Sequence, residues 1–356
     1  MADNNNNNNN NNAKCEKDRL PLANDVIKGD TGKSYRLIQV LGEGGYGTVF
    51  KAIDESSNRT VALKAEKWSK TVLKIELSVL KVTNHHKNAK HFCQLIDHGK
   101  QPHEYMFIVM SLLGPDLARL RNDQNERRFT LATAVGMQTL TALFELHQIG
   151  FLSRDVKPGN FAIGNRDDEL HRLIFMFDFG LSRKYMDKNN NIIPPRKEPG
   201  WRGTTRYGSL HAHLKQDLSR RDDLESWFYA LVELTKGSLP WRMATDRAKV
   251  EELKKYARVD GRKDFLSTCP KCYDQILSLI DGLSFEATPP YVEMQKLLDT
   301  YCSENNISMG QKYDWEGEAT SSLHTSITTQ SVDKSPTDQV RAAAVPGESR
   351  PTKHEI

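Results

Sequence analysis

The sequence predicts an α+β chain, with a small strand-rich lobe first, a larger helical lobe after it, and a cleft between them. Two observations carry this. β-forming residues crowd the stretch from Tyr35 to Lys64, in runs separated by short polar turns. Beyond Gly114 and Pro115 the texture becomes helical, with long amphipathic stretches over residues 130–147, 222–236 and 291–302. Two such lobes leave a crevice, a common place for a ligand.

In chain order, the asparagine tract from Asn4 to Asn12 cannot bury apolar surface, and residues 1–34 are expected to be a disordered leader. Tyr35–Leu41, Thr48–Ile53 and Thr60–Lys64 read as strands. Between the first two lies GEGGYGTV (residues 42–49), which fits G-x-G-x-x-G-x-V. Gly42, Gly44 and Gly47 permit φ above zero and let backbone N–H groups approach phosphate oxygens. A dinucleotide-binding fingerprint looks similar but runs from a strand into a helix. Here β-like sequence lies on both sides, so the glycines cap a hairpin.

Strand alternation puts Ala62 and Lys64 on one face, where Ala62 is small enough to admit a flat ring and Lys64 can reach an anion. A strand lysine is commonly a solvated edge residue. Glu76 changes that reading. It sits in a helical stretch, residues 70–83, beside an apolar stripe of Val72, Ile75, Val79 and Val82 that Leu73, Leu77 and Leu80 widen. A Lys64–Glu76 pair would hold the ammonium over phosphates. A strand pattern returns from His103 to Met110. Thr130 is the expected N-cap of the next helix, Gly150 lies just past its end, and Gly237 closes the 222–236 helix.

The stretch FLSRDVKPGN (residues 151–160) packs an acid, a cation and an amide into six positions. That spacing suits a loop facing one reacting phosphoryl group. Asp155 can orient a hydroxyl nucleophile and accept its proton, Lys157 can neutralise charge on the transferring oxygens, and Asn160 can offer an amide oxygen to Mg²⁺. Pro158 fixes φ and stiffens the loop. Downstream, IFMFDFG (residues 174–180) is an apolar strand that delivers Asp178 to the cleft as a second Mg²⁺ ligand, with Gly180 as the hinge of the turn.

The bulk numbers narrow the classes. Fifty basic and 46 acidic side chains leave a net charge of only +4, which supplies no argument for a nucleic-acid partner. No apolar run is long enough to span a bilayer, the N-terminus lacks a signal-peptide pattern, and Ala2 removes the myristoylation pattern. Five scattered cysteines suggest no disulfide scaffold and so an intracellular, cytoplasmic setting, with nuclear access left open. Cys269 and Cys272 form a lone CxxC without a second pair, read as two thiols near a helix start. Residues 316–356, rich in Ser and Thr, read as a flexible tail, so the structured domain is expected over 35–315, divided near residue 113.

Taken together, these motifs resemble a eukaryotic protein kinase over residues 35–315, and within that family casein kinase 1, especially its tau-tubulin kinase branch. The resemblance rests on FLSRDVKPGNFAIG (151–164), WRGTTRYGS (201–209), SRRDDLES (219–226) and GSLPW (237–241). YGSL (207–210) stands where most kinases carry Ala-Pro-Glu. The resemblance implies a bilobal kinase fold, ATP as donor, Mg²⁺ as cofactor and Ser/Thr acceptors in protein substrates. It implies that Met110 backs the adenine pocket, that Ser111, Leu112 and Leu113 form the hinge, that Val49, Ala62 and Ala162 sandwich the ring, and that Asp223 anchors the catalytic loop. It also implies a monomer, a taste for acidic or pre-phosphorylated acceptors read by Arg206 and Gly237, and cytoskeletal proteins as candidate substrates.

Two departures stand out. Ser153 replaces the His of His-Arg-Asp, which is expected to loosen the Asp178 turn at about 1–3 kcal/mol of local order if the gap stays open. This keeps a second reading alive, an ATP-binding pseudokinase scaffold. Thr245 stands where the anion pocket would carry lysine, with Arg242, Lys184, Arg196 and Lys197 as candidate substitutes. Arg154 before Asp155 would receive an activation-loop phosphate in many kinases, with Ser182, Thr204 and Thr205 as the loop's hydroxyls; this group is expected to act without that switch.

Overall fold

The computed structural model describes residues 17–317. In chain order these form β1 (Val26–Lys28), β2 (Ser34–Glu43), β3 (Gly47–Asp54), β4 (Arg59–Lys67), α1 (Leu73–His85), β5 (Leu95–Gln101), β6 (Tyr105–Ser111), β7 (Leu113–Asp116), α2 (Leu117–Asn122), α3 (Ala132–Gln148), β8 (Phe151–Leu152), β9 (Phe161–Gly164), β10 (Ile174–Met176), β11 (Arg183–Lys184), α4 (Leu210–His213), α5 (Arg220–Lys236), α6 (Arg247–Tyr256), α7 (Arg262–Phe265), α8 (Cys272–Asp281) and α9 (Tyr291–Glu304), with 3₁₀ turns at Pro158–Asn160 and Asp314–Glu316.

The expected division into two lobes is present. Six antiparallel strands pair in the order β1-β2-β3-β4-β6-β5, and among the described residues the remaining elements are helices apart from two small sheets, β10-β9-β7 and β11-β8. Alternation along the strands divides their side chains between two cores. Ala62, Ile108 and Met110 join the large core, which continues through α1 into α3, α5 and α8. Val61, Leu63, Ala65, Phe107 and Val109 face the other way and pack with Tyr35, Leu37 and Phe50. Because the large core runs from one lobe into the other, the residues at its open edge are held from both sides.

Several expectations need correction. The leader is not disordered up to residue 34. β1 adds an edge strand to β2, with Ile27 buried against the second core. Behind it, Asp97 accepts from the Thr31 N–H at 3.2 Å and from the Tyr35 hydroxyl at 3.0 Å. A lone three-residue strand with one buried apolar residue carries no periodic signal, and pairing supplies what propensity does not. The asparagine tract and the tail beyond residue 317 lie outside the described residues. At the other boundary Glu316 belongs to the folded domain, where its carboxylate lies 3.2 Å from both His171 and Arg172.

The inward face of α1 is also shifted from the expected stripe. Leu73, Glu76, Val79, Leu80 and Thr83 are buried, while Ile75 and Val82 are exposed. Thr130 does not cap α3. Its hydroxyl and N–H both turn to Asp314, at 2.8 and 3.0 Å, and Leu131 takes the cap position without a side-chain bond. α5 ends as expected, on Gly237 at φ +83° in the left-handed region.

Candidate active site

β4 carries Lys64 across the sheet from Ile108, and α1 brings Glu76 to meet it. Lys64 Nζ donates to Glu76 Oε2 at 2.7 Å and to Asp178 Oδ1 at 3.2 Å. Glu66, two residues along the strand, lies 3.7 Å away and accepts the Val72 N–H at the entrance to α1. Burial works against the lysine's charge, but Asp178, Glu76 and Glu66 outweigh it and hold its pKa above the ordinary range. Burial raises the Glu76 carboxyl, with Asp178 adding to the effect and Lys64 opposing it. Asp178 is lowered, chiefly by Lys64. Its side chain is 44% exposed, whereas Glu76 is 3% exposed. Of the three carboxylates around the lysine, Asp178 is therefore the exposed one, Glu66 being 3% exposed like Glu76.

The stretch over residues 151–160 is pinned from below. Asp223, near the start of α5, accepts the N–H groups of Ser153 at 2.7 Å and Arg154 at 2.8 Å, and His147 Nε2 at 2.9 Å. These bonds hold Arg154 at φ +65°, an uncommon conformation for a side chain of its size. Pro158 opens the 3₁₀ turn that carries Asn160. Lys157 Nζ donates to Asp155 Oδ2 at 2.8 Å. Asn160 Nδ2 donates to the Asp155 carbonyl at 2.8 Å, which leaves its Oδ1 as the end able to face a cation. Asp155 Oδ1 accepts the Thr204 hydroxyl at 2.8 Å. The sequence offers Thr204 only as a modification candidate; nothing local reveals that a hydroxyl 49 residues downstream closes on Asp155.

The Asp178 turn differs in detail from the sequence reading. The left-handed residue is Asp178 itself, at φ +62°, and Gly180 is required by close approach, since a Cβ there would lie 2.9 Å from Val72. The turn is tied down by the Phe177 N–H on the Asn160 carbonyl at 3.0 Å and by Phe179, buried beside Phe92 with ring centroids 5.7 Å apart. Ser153 is itself buried, only 3% exposed.

Over this floor, Val49, Ala62, Met110, Leu112, Leu113 and Ala162 all belong to or pack on the large core at the lobe junction. The Ser111 N–H is already used by the Gln94 carbonyl at 3.0 Å. In the glycine hairpin, Gly42 pairs with Val49, and a Cβ on Gly47 would lie 2.0 Å from the Ala65 carbonyl oxygen. Gly44 and Gly45 face open space. None of these four adopts positive φ, so close approach, not the left-handed region, accounts for Gly47.

On the acceptor side the expected residues are partly committed elsewhere. Arg206 lies 3.6 Å from Glu233, whose carboxylate also takes the Tyr207 hydroxyl and Arg121. Gly237 is the α5 cap, with no room for a Cβ against the Glu126 carbonyl. Arg196 is bound to Asp217, while Arg242, Lys184 and Lys197 are exposed. Asp217, which the sequence does not single out, is buried and receives Arg183 at 2.7 Å and Arg196 at 2.8 Å. Burial works against it, but the hydrogen bonds from Arg196 and Arg183 hold it well below the carboxylate range. His211, Asp222 and Glu225 also lie close together, but Ser209, the Leu210 N–H, Tyr229 and Arg258 already occupy their oxygens.

A lysine clamped to a helix glutamate, an exposed acid beside it and an aspartate–lysine–asparagine loop nearby is the arrangement expected of the kinase class of fold. Residues 35–304 match the protein kinase domain, and the chain belongs to that family. The chain is 35% identical over 84% of its length to a "probable serine/threonine-protein kinase" of Dictyostelium discoideum, of which it covers 59%. It is 34% identical to serine/threonine-protein kinase spe-6 of Caenorhabditis elegans, over 83% of this chain and 79% of that one. It is 32% identical to casein kinase I homolog 3 of Schizosaccharomyces pombe, over 80% of this chain and 65% of the relative.

Proposed function

We propose that the chain transfers the γ-phosphate of ATP to Ser or Thr hydroxyls of protein substrates. The observation that carries this is one pre-assembled group: the Lys64–Glu76 pair of β4 and α1 reaches Asp178, whose turn is bonded to the Asp155–Lys157–Asn160 loop. Lys64 holds the phosphates, fixed in place by Glu76. Asp155 orients the acceptor hydroxyl and takes its proton, while Lys157 offsets charge on the transferring oxygens. Asp178 and the Asn160 amide oxygen fit a hard, oxygen-seeking cation and would hold Mg²⁺. When bound, that ion neutralises charge on the nucleotide phosphates. Val49, Ala62 and Ala162 enclose the base, Met110 backs it, and Leu112 and Leu113 are the hinge residues left to offer an N–H to it.

The pseudokinase reading draws on Ser153 alone. The buried setting of that serine and the anchored Phe179 argue for a competent turn. Activity without loop phosphorylation is supported by Ser182 being 1% exposed, by the Thr204 hydroxyl being held on Asp155, and by Asp217 already supplying an anion to Arg183 and Arg196. Acidic or primed acceptors, cytoskeletal proteins among them, follow from the casein kinase 1 and tau-tubulin resemblance, as do a monomer and a cytoplasmic location.

The test is transfer of labelled phosphate to a Ser/Thr peptide array by wild type and by Asp155→Asn. Wild type should label, and the variant should lose at least about 100-fold in rate, the size of a general-base contribution. Equal labelling by both would assign the activity to a contaminant.

A further inference from the structure

Lys254, on α6, has no exposed surface. Among the described residues no carboxylate lies within ion-pair distance of its ammonium. Nζ donates to the carbonyls of Thr205 at 2.9 Å and Gly208 at 2.6 Å, and lies 3.2 Å from His213 Nε2. The rings of Tyr229 and Trp241 flank it at 5.0 and 5.5 Å. An ammonium taken out of water without a counter-ion is costly, and a methionine or leucine would fill the same space without that cost. Its direct hydrogen bonds are to the two carbonyls, with the two rings and the more distant Glu225 charge easing its burial.

Those carbonyls belong to residues 204–209, which join the catalytic cluster to α5. One end is fixed by the Thr204 hydroxyl on Asp155 Oδ1 at 2.8 Å. Next to it, Gly203 passes so close to the catalytic loop that a Cβ would lie 2.5 Å from the Arg154 carbonyl oxygen. The other end is fixed by the Ser209 hydroxyl on Asp222 at 2.6 Å. Between these two anchors, Lys254 ties the Thr205 and Gly208 carbonyls to the helical lobe. The Trp241 indole adds a bond to the Arg206 carbonyl at 2.7 Å.

We propose that Lys254 is a positioning residue for the protein acceptor: by gathering the Thr205 and Gly208 carbonyls it sets the backbone beside Asp155 against which the substrate segment lies. This rests on the kinase reading and adds to it a residue remote from the nucleotide. Its signature is a split between the two substrates. Acceptor binding depends on the shape of residues 204–209, whereas ATP is held by residues of the glycine hairpin, β4 and the hinge.

The experiment compares wild type with Lys254→Met and Lys254→Gln, using a Ser/Thr peptide labelled by wild type. Initial rates are taken against peptide at saturating MgATP, and against ATP at saturating peptide. Lys254→Met should raise the peptide KM about tenfold, with the ATP KM within twofold, since charge-assisted bonds to a loop that positions a reactant are lost. Lys254→Gln keeps two N–H donors and should fall between. Amide hydrogen exchange should quicken at residues 204–209 in both variants and remain slow in α3. If Lys254→Met does not fold, the Gln variant is judged by the same two readouts. Unchanged peptide KM and unchanged exchange in an active, folded variant would sink the inference and leave the kinase reading standing. Failure of wild type to label any acceptor would instead sink the kinase reading, and this inference with it.

Discussion

At the scale of single residues, the site is defined less by which groups are present than by what each one is already bonded to. Asp223 shows this best. It binds two backbone N–H groups and one imidazole, so it acts on the catalytic loop through main chain and is indifferent to which side chain position 153 carries. The Ser153 hydroxyl, by contrast, accepts among the described residues only the Asp155 N–H, at a long 3.4 Å. A weak neutral hydrogen bond contributes about 0.5 kcal/mol, a little over twofold in an equilibrium. Ser153→Ala should therefore change kcat by less than about threefold. Asp223→Ala, which orphans both N–H groups and the buried imidazole, should lower it by more than about 100-fold or prevent folding. Steady-state kinetics on the two variants, with circular dichroism to confirm folding, checks this. A serine variant as damaged as the aspartate variant would mean that the hydroxyl has a role its geometry does not reveal.

At the scale of elements, the segment from β11 to α4 is where the fold goes beyond what the sequence makes legible. Strands β2 to β4 are readable because alternation and the glycine hairpin act within a few residues, and so is the Lys64–Glu76 pair, which spans only twelve positions. The inward face of α1 is not, because Glu76 must turn in to meet Lys64, and that rotates Ile75 and Val82 outward against their hydrophobicity. Thr130 likewise loses its capping role to Asp314, a partner 184 residues away. Asp217 is the functional counterpart of these cases. It draws Arg183 and Arg196 together over 34 and 21 residues, with no local pattern to announce it. Its two arginines crowd the catalytic loop's own cation, and burial together with Arg196 and Arg183 pushes Arg154 down to about 10. Removing the Asp217 charge leaves two arginines facing a third, so Asp217→Asn should lower kcat about tenfold by misplacing residues 182–203. Wild type treated with phosphatase should keep its turnover. Loss of activity on phosphatase treatment would show that an added phosphate, and not this carboxylate, orders the segment.

At the scale of the whole molecule, the two lobes share one core, and the proposed ligand-binding charges sit where they meet, with Lys64 and Glu76 from one lobe reaching Asp178. A ligand that binds only this closed arrangement stabilises the whole fold by mass action, by about 2.7 kcal/mol at one hundred times its dissociation constant. For a domain of this size that is a rise of roughly 5 °C in the unfolding midpoint. The rise should depend on Mg²⁺, because Asp178 points its exposed carboxylate at the cleft while Lys64 occupies one of its oxygens. Thermal unfolding with ATP in Mg²⁺ and with ATP in EDTA should therefore differ in wild type and coincide in Asp178→Asn. Lys64→Met should shrink the rise in both conditions. The pH dependence has a definite sign. Lys64 lowers the Asp178 pKa, so its charged form is fully present above the ordinary carboxylate value near 4 and is lost only as pH falls through the lower folded value. The Mg²⁺-dependent part of the rise should thus be level from pH 8 to pH 5. If, at Mg²⁺ high enough to keep the nucleotide as its ionised magnesium complex, it already collapses near pH 6, the group that binds the cation is not Asp178, and the division of roles between Asp178 and Asp155 has to be redrawn.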